Sequence, residues 1–144
     1  MRHGGILLVE DNPDDETMFL RSLQKSGVSG DVVVKRDGQA AVDYLLGSDP
    51  AGRSEEEAPL VVFLDLKLPK LDGLEVLQRL RAESRTKLQP VVILTSSDEL
   101  QDRNRSYALG ANSYVCKPVD SGDFDEAVDR IGEYWTRLNK PPKD

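Results

Sequence analysis

Four short apolar runs in this chain each stop at a polar residue able to handle phosphate, and amphipathic stretches separate them. Ile6-Leu7-Leu8-Val9 runs into Glu10-Asp11, and Leu60-Val61-Val62-Phe63-Leu64 runs into Asp65. Val91-Val92-Ile93-Leu94 stops at Thr95, and Tyr114-Val115-Cys116 stops at Lys117-Pro118. Strand-sized runs alternating with amphipathic segments are the pattern of βα repeats and a parallel sheet. If the runs are neighbouring parallel strands, their polar termini share one edge of the sheet, where open α/β sheets bind ligands. Three carboxylates, a hydroxyl and an ammonium gathered there would hold a divalent cation and a phosphoryl group.

The segments between the runs read as helices. Asn12-Pro13 is an N-cap followed by proline at the first helical position. Asp14, Asp15 and Glu16 fill the first turn, where the helix dipole favours anions, and Gly27 stops the helix. Met18, Leu20 and Leu23 supply its apolar positions. A further strand is predicted at Val32-Val33-Val34, then a helix over 38–46 carrying Ala41, Val42, Leu45 and Leu46. Pro69 and Asp72-Gly73 turn the chain after Asp65 into a helix with Leu74, Leu77 and Leu80 inward. Two more helices are predicted, over 98–109 and over 122–138. The second places Phe124, Val128, Ile131, Trp135 and Leu138 on one side. Residues 47–59 form a polar extended loop without apolar periodicity. Five strands and five helices account for one domain over 1–144, with no output module expected.

Composition narrows the function. Twenty-six acidic against nineteen basic residues give a formal charge of −7, which disfavours nucleic acid and acidic membranes as partners. No apolar stretch approaches the roughly 20 residues that span a bilayer. The single cysteine, Cys116, allows no internal disulfide, fits a reducing cytoplasm, and is expected to be a buried packing residue. His3 is the only histidine, which removes a Ser-His-Asp triad and a histidine-rich metal site.

Asp65 is the natural nucleophile, because a carboxylate attacking phosphorus forms an acyl phosphate. Such an attack brings two anions together, and a divalent cation bridging carboxylate and phosphoryl oxygens offsets the repulsion. Mg²⁺ takes oxygen ligands and keeps several waters, so Asp11, with Glu10 beside it, and Asp65 suffice. Thr95 can donate to a phosphoryl oxygen, and Lys117 supplies a point charge.

With these residues in this order, the chain resembles the response-regulator receiver domains of two-component signalling, the CheY-like family. Val9-Glu10-Asp11-Asn12 matches the acidic pair, and Leu64-Asp65-Leu66-Lys67-Leu68-Pro69-Lys70-Leu71-Asp72-Gly73 matches the phospho-acceptor segment. Leu94-Thr95-Ser96 and Lys117-Pro118 match the remaining two motifs. The resemblance implies a doubly wound five-stranded parallel sheet of flavodoxin/CheY-like order 2-1-3-4-5, with helices on both faces. It implies phosphorylation of Asp65 by a histidine kinase, with Mg²⁺ held by Asp11, Asp65 and the Lys67 backbone carbonyl, and Glu10 as accessory acid. It further implies Thr95 and Tyr114 as switch residues, a cis bond at Lys117-Pro118, and a signalling protein that assists only its own phosphotransfer and dephosphorylation. Lys67 departs from the smaller or uncharged residue common at its position, which bears on hydrolytic water and phosphoryl lifetime.

A narrower resemblance is to the small response regulators paired with bacterial phytochromes. It rests on the Glu-Asp-Asn-Pro-Asp-Asp opening, the long loop before the third strand and the expected lack of an output domain. It implies a homodimer through the fourth helix, fifth strand and fifth helix, with Tyr107, Tyr134 and Trp135 near that face. Three other readings compete. A haloacid-dehalogenase-type phosphatase would want an aspartate where Lys67 stands. A flavodoxin-like module would want Ser, Thr and Gly, not Glu10-Asp11, in its phosphate loop. A receiver that no longer takes phosphate would not need the intact Asp65, Thr95 and Lys117.

Overall fold

A computed structural model describes residues 5–28, 30–47 and 58–142. Along the chain come β1 (Ile6–Val9), α1 (Pro13–Ser26), β2 (Val32–Lys35), α2 (Gly38–Leu46) and β3 (Val61–Leu64). Then follow α3 (Gly73–Ala82), β4 (Val91–Thr95), α4 (Leu100–Ala108), β5 (Ser113–Cys116) and α5 (Ser121–Glu133), which ends in a π-helical turn, Tyr134–Leu138. The five strands form one parallel sheet in the order β2-β1-β3-β4-β5, as expected. The loop expected over 47–59 lies, across 48–57, outside the described residues.

The central strands are apolar throughout because both faces of the sheet are covered. Side chains alternate between faces, so Leu7, Val9, Val62, Leu64, Val91 and Ile93 pack with α2 and α3. Ile6, Leu8, Val61, Phe63, Val92 and Leu94 pack on the other side with Phe19 and Leu23 of α1 and Phe124 and Val128 of α5. Phe19 meets Phe63 with ring centroids 5.3 Å apart and planes tilted by 58°.

The structure departs from the sequence-based expectation in several places. On α1 the fully buried stripe is Phe19, Ser22 and Leu23, with Met18 and Leu20 at its margins. Ser22 sits in the stripe because its hydroxyl donates to Asp125 of α5. Helix α4 begins at Leu100, because Ser97 Oγ accepts the Glu99 amide (3.3 Å) and holds 97–99 in a loop. The π turn breaks the 3.6-residue spacing after Glu133, so Trp135 still packs on the α1–α5 core while Leu138 is 65% exposed. Cys116 is exposed rather than buried, being the last residue of β5, which stands at the edge of the five described strands.

Candidate functional site

The register sets up the site. Val9 pairs with Leu64, so Glu10 and Asp65 leave the sheet side by side. Thr95 pairs with Cys116, so Lys117 leaves one residue further along β5. Two strand spacings, about 9–10 Å, separate β5 from β3, and a long side chain is needed to bridge them.

Lys117 does so. Its Nζ donates to Glu10 Oε1 (2.6 Å), Asp65 Oδ2 (2.9 Å) and Asp15 Oδ2 (2.9 Å), with the side chain only 7% exposed. An ammonium has three donors, and all three are used. Asp15 arrives from α1: Asn12 Oδ1 accepts the Asp14 (2.9 Å) and Asp15 (3.0 Å) amides, which starts the helix directly above the strand ends. Glu10 is buried and its Oε2 accepts the Asn12 amide at 3.2 Å.

Asp65 is buried and its second oxygen, Oδ1, accepts the Leu66 amide at 2.7 Å and, more weakly, the Lys67 amide at 3.4 Å. The loop that presents these amides lies tight against α3. The Gly73 amide donates to Leu66 O (2.8 Å), and a Cβ on Gly73 would stand 2.2 Å from Asp65 O. No side chain larger than hydrogen fits there without moving the acceptor loop.

Burial pushes the Glu10 carboxyl up to about 7; the Lys117 hydrogen bond works against that rise and the Asp65 charge adds to it. Burial alone would lower Lys117, but the bonds to Glu10 and Asp15 and the charge and bond of Asp65 outweigh it and push the ammonium up. Lys117 is therefore held charged, while Glu10 sits near its titration point at neutral pH. Glu10, Asp11 and Asp65 each bring a carboxylate oxygen within 4.8 Å of the other two, and Asp11 is the exposed member. Such a set of hard oxygen donors suits Mg²⁺ or Mn²⁺.

Glu10, Asp11, Asp65 and Lys117 thus meet at one place. Thr95 stands at the end of the intervening strand β4, fully buried, and its Oγ1 accepts the Ser97 amide (3.4 Å) rather than bonding to the carboxylates. The Tyr114 hydroxyl donates to Ser97 O (2.9 Å), its ring half-buried against the α2–α3 core. The Lys67 residue is exposed. The Lys117-Pro118 bond is trans, not cis: none of the described peptide bonds is cis. Trans is the lower-energy isomer at proline, and Lys117 reaches its three acceptors from it.

Two members escaped the sequence reading. By sequence Asp15 reads as one of three acids favoured by the helix dipole, although its third-residue position in a helix starting at the site edge is a usable signal. Ser97 joins both expected switch residues, and its Oγ donates to Asp102 of α4 (2.6 Å). Nothing in the local sequence marks it.

The sequence profile of the response regulator receiver domain matches residues 6–129, and the chain belongs to that family. The probable methanogenesis regulatory protein FilR2 of Methanothrix harundinacea is 42% identical over 137 residues, 95% of this chain and 86% of that protein. Response regulator Rcp1 of Synechocystis is 35% identical over 130 residues, 90% of this chain and 87% of Rcp1. The crystal structure of Mn²⁺-bound Rcp1 superposes with a TM-score of 0.87 at 33% identity, covering 97% of this chain and 99% of that one. The phosphorylated cyanobacterial phytochrome response regulator RcpA gives 0.88 at 35% identity, covering 98% and 99%. The bacteriophytochrome response regulator RtBRR gives 0.74 at 47% identity, covering 96% and 84%.

Proposed function

We propose that this receiver domain accepts a phosphoryl group on Asp65 from the phosphohistidine of a sensor kinase, in a reaction that requires Mg²⁺. The observation that carries the reading is the binding of Asp65 from two sides. Backbone amides take Oδ1 and a buried, charged Lys117 takes Oδ2, beside two further carboxylates. Asp65 attacks phosphorus in line; its O–P bond forms as the N–P bond to the kinase imidazole breaks, and the imidazole leaves with the electron pair. Lys117 would offset the charge arriving at Asp65, and the Lys67 amide, 3.4 Å from Asp65 Oδ1, would donate to a phosphoryl oxygen once the group is there. The carboxylate oxygens fit a divalent cation. Asp11, Asp65 and the Lys67 carbonyl would hold it, with Glu10 as accessory acid, and it would supply charge neutralisation between carboxylate and phosphoryl oxygens.

Thr95 and Tyr114 carry the change of state. Both bond to Ser97, so a shift of Thr95 toward a phosphoryl group would be felt at Tyr114 and at α4 through one loop. The partner is a histidine kinase of the phytochrome type. RcpA and RtBRR are described as phytochrome and bacteriophytochrome response regulators, and this chain is 35% and 47% identical to them. The protein works as a cytoplasmic signalling switch, with no turnover beyond its own phosphotransfer and dephosphorylation. It forms a homodimer through α4, β5 and α5, where Leu100 (63%), Tyr107 (49%) and Val119 are exposed. Trp135 is spent on the domain's own core, leaving Tyr134 as the exposed aromatic of the C-terminal turn.

Incubation with acetyl phosphate and Mg²⁺ should give one acid-stable, base-labile adduct, mapped by mass spectrometry to Asp65. Labelling of Asp65→Asn at the wild-type level would refute the assignment.

A further inference from the structure

We infer that Asp15 is a positioning residue whose charge competes with the phosphoryl group for Lys117 and so restrains phosphorylation at Asp65. The inference rests on the phosphotransfer reading above and deepens it by naming what sets the anion affinity of the site. It follows from the count of donors. Lys117 has three N–H bonds, and in the resting protein Glu10, Asp65 and Asp15 take one each. The ammonium that must meet an incoming oxyanion has no donor to spare.

The three acceptors are not equivalent. Glu10 and Asp65 leave buried strand ends, with side chains 3% and 10% exposed, whereas Asp15 lies on the solvent side at 33%. A phosphoryl donor coming from that more exposed side would meet a carboxylate already paired with Lys117. When Asp65 becomes an acyl phosphate, charge is added next to Lys117. The bond to Asp65 Oδ2 can pass to a phosphoryl oxygen, but the Asp15 charge remains 2.9 Å from the same Nζ. It neutralises part of the field that would stabilise the new anion.

Among the described residues, the side chain of Asp15 bonds to Lys117 alone. The Asn12 cap binds its backbone amide, and Asp14 and Glu16 keep the first turn acidic, so the helix start survives its replacement. Asparagine at this position keeps an acceptor for Lys117 and removes only the charge. Loss of bracing and loss of charge therefore separate.

The test compares wild type with Asp15→Asn, Asp15→Ser and Asp15→Glu, using acetyl phosphate for labelling and beryllofluoride as a stable phosphoryl mimic followed by ¹⁹F NMR, both at saturating Mg²⁺. In labelling, acetate leaves with the electron pair of the broken P–O bond as the Asp65 O–P bond forms. For a charge this exposed, the two neutral variants should label about two- to fivefold faster at low salt and hold beryllofluoride correspondingly tighter. The gain should shrink at about 1 M salt, where the Debye length falls to about 3 Å, without vanishing, because Asp15 is 33% exposed but Lys117 only 7%. Asp15→Glu should stay at the wild-type rate. Equal or slower labelling by both neutral variants at low salt, or beryllofluoride held no tighter than by wild type, would overturn the inference. Failure of wild type to label, or labelling of Asp65→Asn, would instead sink the phosphotransfer reading itself.

Discussion

Glu10→Gln should flatten the pH dependence of stability in the metal-free protein. Glu10 is 2% exposed, and burial lifts its carboxyl from 4.5 to about 7. Over that range the folded protein keeps a proton that the unfolded chain releases, so stability falls as pH rises from about 4.5 and levels off above about 7. The interval corresponds to a loss of about 3 kcal/mol. Glutamine never titrates. Its carbonyl can take the Lys117 bond made by Oε1 at 2.6 Å, but its amide nitrogen then faces the Asn12 N–H that Oε2 accepted. That mismatch costs about 1–3 kcal/mol at every pH.

The variant should therefore be the less stable protein in acid, and the gap should close or invert by about pH 8 as the wild type loses its roughly 3 kcal/mol. Urea unfolding in EDTA at a series of pH values, followed through the single, half-buried Trp135, gives both curves. Titrating groups away from the site are common to the two proteins and cancel in the difference, whereas Asp65 and Lys117 face Glu10 and belong to the effect measured. Parallel curves, with a stability difference constant across the range, would show that Glu10 is ionised in the fold like any surface glutamate and would refute the reasoning.

Two further outcomes test the switch and the assembly. Thr95→Ala removes a fully buried hydroxyl and leaves the Ser97 amide without its acceptor, at a cost of about 1 kcal/mol. It should still label at Asp65 while losing the phosphorylation-dependent amide shifts around Tyr114, and shifts identical to wild type would exclude Thr95 from the coupling. Light scattering over a concentration series, with and without beryllofluoride, should show a dimer that weakens on Tyr107→Ala; a monomer mass throughout would remove the α4–β5–α5 contact.

The fold was legible because each of its determinants is local. Strand-length apolar runs, the Asn12-Pro13 cap, the Asp72-Gly73 turn and the Gly27 stop are written within a few residues of where they act. The sheet order came through the family resemblance. Glu10, Asp11, Asp65 and Lys117 were legible for a related reason: in a parallel sheet, whatever follows a strand lands on one edge, so chain position alone predicts convergence. What stayed hidden depends on distances across the sheet or on surface exposure. The sequence does not say that Ser22 would fill a core position by bonding to Asp125, or that the α5 spacing would break at a π turn. Cys116 read as core because its neighbours are apolar, yet it closes an edge strand.

The same distinction explains why Asp15 and Ser97 were missed while the other site residues were found. Glu10, Asp65, Thr95 and Lys117 are each placed by the strand they end or follow. Asp15 is placed by the angle at which α1 leaves β1, which the Asn12 cap fixes, and Ser97 by a loop whose shape depends on Thr95, Asp102 and Tyr114 together. Such residues adjust a site that others define. On the reading proposed above, Asp65 and Lys117 carry the phosphotransfer, while Asp15 and Ser97 adjust how readily it occurs and what then moves. A receiver chain can therefore keep its chemistry fixed at the strand ends while its sensitivity varies in the first turn of α1 and the loop before α4.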